Sequence, residues 1–160
     1  MGAASVVEQT AAERFLDGGR IVLVGASDDP KSFSSTIAKE LTARGCDVVP
    51  VNPGRSEVAG RRCYPDVGSV PGPVDRVLVM VPAEPALDVV RDCIRAGVQQ
   101  IWLFRGVGGP GATSPQASDL CREAGADVID GACPLMFLAP VGWFHRMHRT
   151  VRRVRGSVVT

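Results

Sequence analysis

The stretch Ile21-Val22-Leu23-Val24-Gly25-Ala26-Ser27-Asp28-Asp29-Pro30-Lys31-Ser32-Phe33-Ser34-Ser35 passes from an unbroken apolar run into small and polar residues. A short continuous run of branched aliphatic residues predicts a strand buried on both faces, as in a parallel sheet. The glycine that follows, and the hydroxyl residues Ser34-Ser35-Thr36 beyond it, predict a tight turn into a capped helix. Such a turn offers backbone N–H groups and the positive end of a helix dipole to an anion. The dinucleotide fingerprint needs three glycines at fixed offsets, and only Gly25 is present. The stretch therefore reads either as a phosphate loop of another kind or as a plain strand-to-helix turn.

Outward from this stretch the same alternation repeats. Toward the N-terminus, Val6, Val7, Phe15 and Leu16 predict a short amphipathic helix that Gly18-Gly19 break. The strand Arg20–Val24 leads to a helix with Ile37, Ala38 and Leu41 on one face, closed at Gly45. Further strands are expected over Asp47–Val51, Val74–Val81, Val98–Phe104 and Ala126–Asp130. Helices are expected from Glu84-Pro85 to Gly97 and from Thr113-Ser114-Pro115 to Gly125. Strands alternating with helices of about a dozen residues predict an α/β fold. The expected architecture is a Rossmann-like doubly wound parallel sheet of about five strands, with N- and C-terminal helices. Residues 54–73, rich in Gly, Pro and Arg, form the longest irregular connection.

Ligands of such sheets bind beyond the carboxyl ends of the strands, which singles out five loops. In the first, Gly25, Ala26 and Ser27 can approach an anion, with Lys31 and Ser34 adding contacts. In the second, Val51-Asn52-Pro53-Gly54-Arg55, an NAD-binding chain would end the strand on an acidic residue. Arg55 instead suits a phosphate on the adenosine ribose, as carried by NADP or coenzyme A, or else is a solvated surface residue. The third loop, Val81-Pro82-Ala83-Glu84-Pro85, is pre-set by two prolines and offers either a ledge for an adenine or a rigid connection. The fourth, Arg105–Gly111, has four glycines in seven residues and includes Gly106. The fifth places Cys133 just after a strand, but a nucleophilic thiol needs a base, and the histidines are His145 and His148 alone.

Composition excludes several classes. The chain has 160 residues, 45% hydrophobic and 22% charged, ordinary for one globular domain. No apolar run approaches the ~20 residues of a membrane span, and the N-terminus lacks a basic signal region. The five cysteines are odd in number and never spaced as CxxC, so reduced thiols and a cytoplasmic setting are expected. Net charge is +1, but up to Asp130 there are thirteen basic against seventeen acidic residues, and beyond it five arginines and no acid. Phe144, Met147, Val151 and Val154 recur at helical steps there. A terminal helix docking on the core or on a second subunit, as in a homodimer, is the reading preferred over a nucleic-acid or lipid surface.

Together the motifs VGAS, VNPGR, VPAE, FRGVGG and GACP, each following a successive strand, resemble the CoA-binding Rossmann domains. That group includes the alpha subunit of succinyl-CoA synthetase and small stand-alone bacterial CoA-binding proteins. The resemblance covers roughly residues 15–140 of a single domain spanning 1–160, with 141–160 as a basic C-terminal helix. It implies coenzyme A as the ligand, with Gly25, Ala26 and Ser27 facing its phosphates, Arg55 pairing with one of them, and Val81, Pro82 and Ala83 flanking the adenine near Glu84. The reading of the loops adds Lys31, Ser34, Asn52, Pro53 and Gly106 to the expected site. The resemblance also implies a binder of CoA or acyl-CoA; with no acid–base–nucleophile constellation in the sequence no catalysis is expected, and the cysteine spacing argues against a metal site. An NADP-dependent oxidoreductase is the enzymatic alternative. A regulatory or assembly subunit serving an ATP-grasp partner is the third.

Overall fold

The computed structural model describes residues 6–17, 19–105 and 111–137. It begins with α1 (Val6–Phe15), β1 (Gly19–Val24), α2 (Phe33–Ala43) and β2 (Cys46–Val51). A short hairpin follows, β3 (Glu57–Val58) and β4 (Arg61–Arg62), and then a 3-10 turn at Val67–Ser69. The second half runs β5 (Arg76–Val79), α3 (Ala83–Arg95), β6 (Gln100–Phe104), α4 (Pro115–Glu123) and β7 (Asp127–Ala132), ending in a 3-10 turn at Pro134–Met136. The five-stranded sheet has the order β2-β1-β5-β6-β7, and every pairing in it is parallel. The expected doubly wound α/β sheet is present. Its direction of winding reverses between β1 and β5.

Side-chain alternation along the strands divides the core in two. Ile21, Leu23, Leu78 and Trp102 point to one face, where they meet Ala12, Phe15, Ile37 and Leu41 of α1 and α2. Val22, Val24, Val77, Val79, Ile101 and Leu103 point to the other, against Ala86, Val90, Ala117 and Cys121 of α3 and α4. Trp102 anchors the first face. It is fully buried, its ring meets Phe15 edge-on at 5.2 Å and Phe137 at 5.7 Å, and its Nε1–H donates to the Ala132 carbonyl at 2.8 Å. Burying a side chain of this kind contributes about 1.5–3 kcal/mol, and the indole N–H stays satisfied.

Local chemistry sets the helix ends. Ser32, not the Ser34–Thr36 run, caps α2: its hydroxyl accepts from the Ser35 N–H at 3.1 Å. That leaves Ser34 and Ser35 inside the helix and buried. Ser114 caps α4 by accepting from the Ala117 N–H at 3.1 Å, with Pro115 in the first turn. The connection 54–73 was expected to be irregular. It contains the β3–β4 hairpin, whose two-residue turn Ala59-Gly60 has φ of 53° and 78°. Positive φ at both central residues is the requirement of a type I′ turn, normally met by Asn-Gly or Gly-Gly. The predicted C-terminal helix lies outside the described residues.

Candidate functional site

Open α/β sheets take their ligands in the crevice outside the carboxyl ends of the strands where the winding reverses, and here that point lies between β1 and β5. Three of the sequence loops converge there. Gly25 ends β1 at φ 94°, and a Cβ placed on it would lie 2.6 Å from the Met80 carbonyl oxygen and 3.1 Å from Val81 Cγ1. The glycine is thus demanded by the neighbouring strand end at β5. The amides of Gly25 and Ala26 turn the other way and donate to the Val51 carbonyl at 2.9 and 3.4 Å. This differs from the picture of a loop whose first amides are reserved for an anion, because β2 consumes them.

Asn52 is the joint between the first and second loops. Its Nδ2 donates to the Ala26 carbonyl at 2.9 Å, and its Oδ1 accepts from the Gly54 N–H at 2.9 Å. The Asn52 amide itself donates to the Tyr64 carbonyl at 2.9 Å. Half-buried and held on three sides, Asn52 is a fixed frame for the exposed Pro53-Gly54-Arg55 turn. Arg55 projects from that turn and forms an ion pair with Asp28 at 3.2 Å; both side chains are nearly half exposed. Asp28 also accepts from the Ala59 N–H at 2.6 Å, so the first loop is tied to the β3–β4 hairpin. Sequence reasoning quoted Asp28 without giving it a role. Its partners stand 27 and 31 residues away, and no local signal announces them.

The remaining candidates are placed as follows. Ser27 is half-buried and accepts from the Asp29 N–H at 3.0 Å through its hydroxyl. Lys31 is exposed, and its backbone N–H donates to the Asp29 carboxylate at 2.9 Å. The buried Ser34 shares a hydroxyl contact of 3.3 Å with Ser32. Val81 and Ala83 are half-buried at the end of β5 and the start of α3, with Pro82 and Glu84 exposed beside them. Pro82 precedes α3 without a capping hydrogen bond, and Glu84 places a negative charge in the first turn. Gly106 lies outside the described residues.

The described residues also enclose two hollows of some size. One, of about 410 Å³, opens between α2 and the edge strand β2 and is lined by Ala26, Ser27, Ala38, Val48, Pro50 and Val58. It reaches the crevice at Ala26 and Ser27. The other, of about 470 Å³, lies beside Val74 and Arg95 at the amino ends of the strands, remote from the loops. Cys133 is half-buried and follows β7; burial pushes its thiol above the ordinary range, against hydrogen bonds from the Leu135 and Met136 amides. A thiol held protonated is a poor nucleophile.

A parallel α/β sheet with a crevice at its switch point, framed by a glycine turn, an Asn-Pro-Gly-Arg turn and a proline-stiffened loop, defines a nucleotide-binding class of fold. Residues 19–139 match the family of the CoA binding domain, and the chain belongs to that family. It is 27% identical over 114 residues to YneT, an uncharacterized protein of Bacillus subtilis, covering 71% of this chain and 81% of YneT. It is 33% identical over 91 residues to the alpha subunit of acetate–CoA ligase (ADP-forming) II of Pyrococcus furiosus, covering 56% of this chain but only 20% of that one. Among solved structures, a hypothetical protein from Pyrococcus horikoshii superposes with a TM-score of 0.75 at 28% identity, over 86% of this chain and 96% of that one. The chain thus spans most of two small proteins and one-fifth of a ligase subunit. Among the described residues no helix is long and apolar enough to cross a membrane.

Proposed function

We propose that this chain is a cytoplasmic binder of coenzyme A or an acyl-CoA that performs no reaction on it. The observation that carries the reading is the match to a CoA binding domain, in which Asn52 and Arg55 of the second loop are tied to Ala26 and Asp28 of the first. In this pose the first turn of α2, with Ser27, Ser34 and Lys31, faces the pyrophosphate. Asn52 and Pro53 frame Arg55, which meets the phosphate on the adenosine ribose. Val81, Pro82 and Ala83 flank the adenine, with Glu84 beside it. The raised thiol of Cys133 supports binding without covalent chemistry.

Calorimetric titration with CoA, dephospho-CoA and NADPH tests the reading. Binding of CoA is expected, with NADPH weaker. No heat from either CoA or dephospho-CoA at about 1 mM, an affinity of only about 4 kcal/mol, overturns it. Tight NADPH binding with CoA excluded favours an NADP-dependent oxidoreductase instead. A second reading draws on the likeness to the acetate–CoA ligase alpha subunit: the chain supplies a CoA site to a separate ATP-grasp partner. Recovery of such a protein with the tagged chain from lysate supports it, and recovery of the chain alone, as a homodimer or otherwise, counts against it.

A further inference from the structure

The first loop carries two carboxylates where an anion is to be received, and they are used differently. Asp29 serves its own turn: its carboxylate accepts from the Lys31 N–H, and its carbonyl accepts from the Ser32 hydroxyl at 2.8 Å. Asp28 reaches out of the loop altogether. One oxygen meets the Arg55 guanidinium at 3.2 Å, and the other accepts from the Ala59 N–H at 2.6 Å. A guanidinium and a backbone N–H gripping two oxygens of one anion is the arrangement in which proteins hold phosphate. The Ala59 N–H is delivered by an alanine at φ 53°, a conformation alanine adopts only at a cost. Arg61 of the β3–β4 hairpin is committed to Asp47.

We propose that Asp28 is a built-in surrogate for the ligand's ribose phosphate and that it sets how well the protein distinguishes CoA from dephospho-CoA. The inference rests on the CoA reading above. With no ligand, the carboxylate neutralises Arg55 and pins the β3–β4 hairpin to the first loop. An incoming phosphate, with more charge and a third oxygen, takes over Arg55 and the Ala59 N–H, and Asp28 swings into water. The exchange is accessible because both Asp28 and Arg55 are nearly half exposed, and an ion pair in that setting holds weakly. A ligand without the phosphate leaves the clasp closed and gains nothing from Arg55. Affinity for CoA is therefore reduced by the work of opening the clasp, whereas affinity for dephospho-CoA is not.

The test is Asp28→Asn, which keeps an oxygen for the Ala59 N–H and removes the charge from Arg55. Wild type and variant are titrated with CoA and with dephospho-CoA, and folding is checked by thermal unfolding. If asparagine disturbs the turn, Asp28→Ala is titrated in the same way. The expected result is CoA bound up to about fivefold tighter by the variant, the worth of one exposed ion pair, with dephospho-CoA unchanged. Unchanged or weaker CoA binding by the variant, with wild type binding CoA, overturns the inference and leaves the CoA reading standing. So does an equal gain toward both ligands, which reduces Asp28 to a general repulsion of the pyrophosphate. Failure of both proteins to bind either ligand removes the CoA reading and the inference with it.

Discussion

Replacing Gly25 with alanine separates two costs that usually arrive together. A non-glycine residue at positive φ costs about 1–2 kcal/mol in torsional strain. Gly25 sits at φ 94°, and its added Cβ would also lie 2.6 Å from the oxygen and 2.9 Å from the carbon of the Met80 carbonyl. Those atoms are backbone at the end of β5, so they move only if the strand end moves. Gly45 offers the control: its φ is 91°, and an added Cβ would meet nothing within 4 Å. Gly45→Ala should therefore cost the torsional ~1–2 kcal/mol alone. Gly25→Ala should cost at least ~3 kcal/mol, the excess being the clash at the switch point. At about 2–4 °C per kcal/mol for a chain of this size, Tm should fall by roughly 6–12 °C, against roughly 2–8 °C for the control. Urea unfolding followed by circular dichroism measures both. Equal losses at the two positions would refute the claim that β5 dictates the glycine.

Arg55→Ala should weaken CoA binding about ten- to a hundredfold and dephospho-CoA binding hardly at all in calorimetry, while stability stays within about 1 kcal/mol of wild type because the ion pair with Asp28 is exposed. Asn52→Ala removes the bonds to the Ala26 carbonyl and the Gly54 N–H and should cost about 1–2 kcal/mol in urea unfolding, with Asn52→Asp, which sets a carboxylate oxygen against the Ala26 carbonyl, costing at least as much. Burial pushes the thiols of Cys93 and Cys121 up to about 12 and about 11 from 9.0. The folded state then holds protons that the unfolded chain has released, so stability should be flat below pH 9 and fall as pH rises from about 9 toward 12. Cys93→Ala should flatten that fall, and an identical slope in the variant would exclude the thiol as its source.

Much of the fold was legible because burial on both faces writes itself as unbroken aliphatic runs. IVLV and VDRVLVMV can hardly be anything but central strands. The structure trims the second of these to Arg76–Val79, since pairing with β1 and β6 ends there. The family, too, was legible in motifs spaced strand by strand. What escaped was every feature decided by a distant partner. Three consecutive hydroxyls obscured Ser32 as the cap of α2, where an Asp29 turn presents it. EVAGRR lacks the apolar alternation of a hairpin, yet an alanine accepts the left-handed region there and joins Asp28. The purpose of Gly25 is visible only once Met80 lies against it.

The order β2-β1-β5-β6-β7 has a consequence for how the molecule breathes. The candidate site residues within the described part lie on the loops and first helical turns that follow β1, β2 and β5, three strands of which β1 pairs with both others. β6, β7 and α4 buttress them from one side and contribute none of those residues. A ligand in the crevice would suppress local opening of the first three strands while leaving the β7 edge free to exchange its amide hydrogens at nearly its unliganded rate. Stability would then be redistributed across the sheet, concentrated at the edge the ligand touches and unchanged at the other.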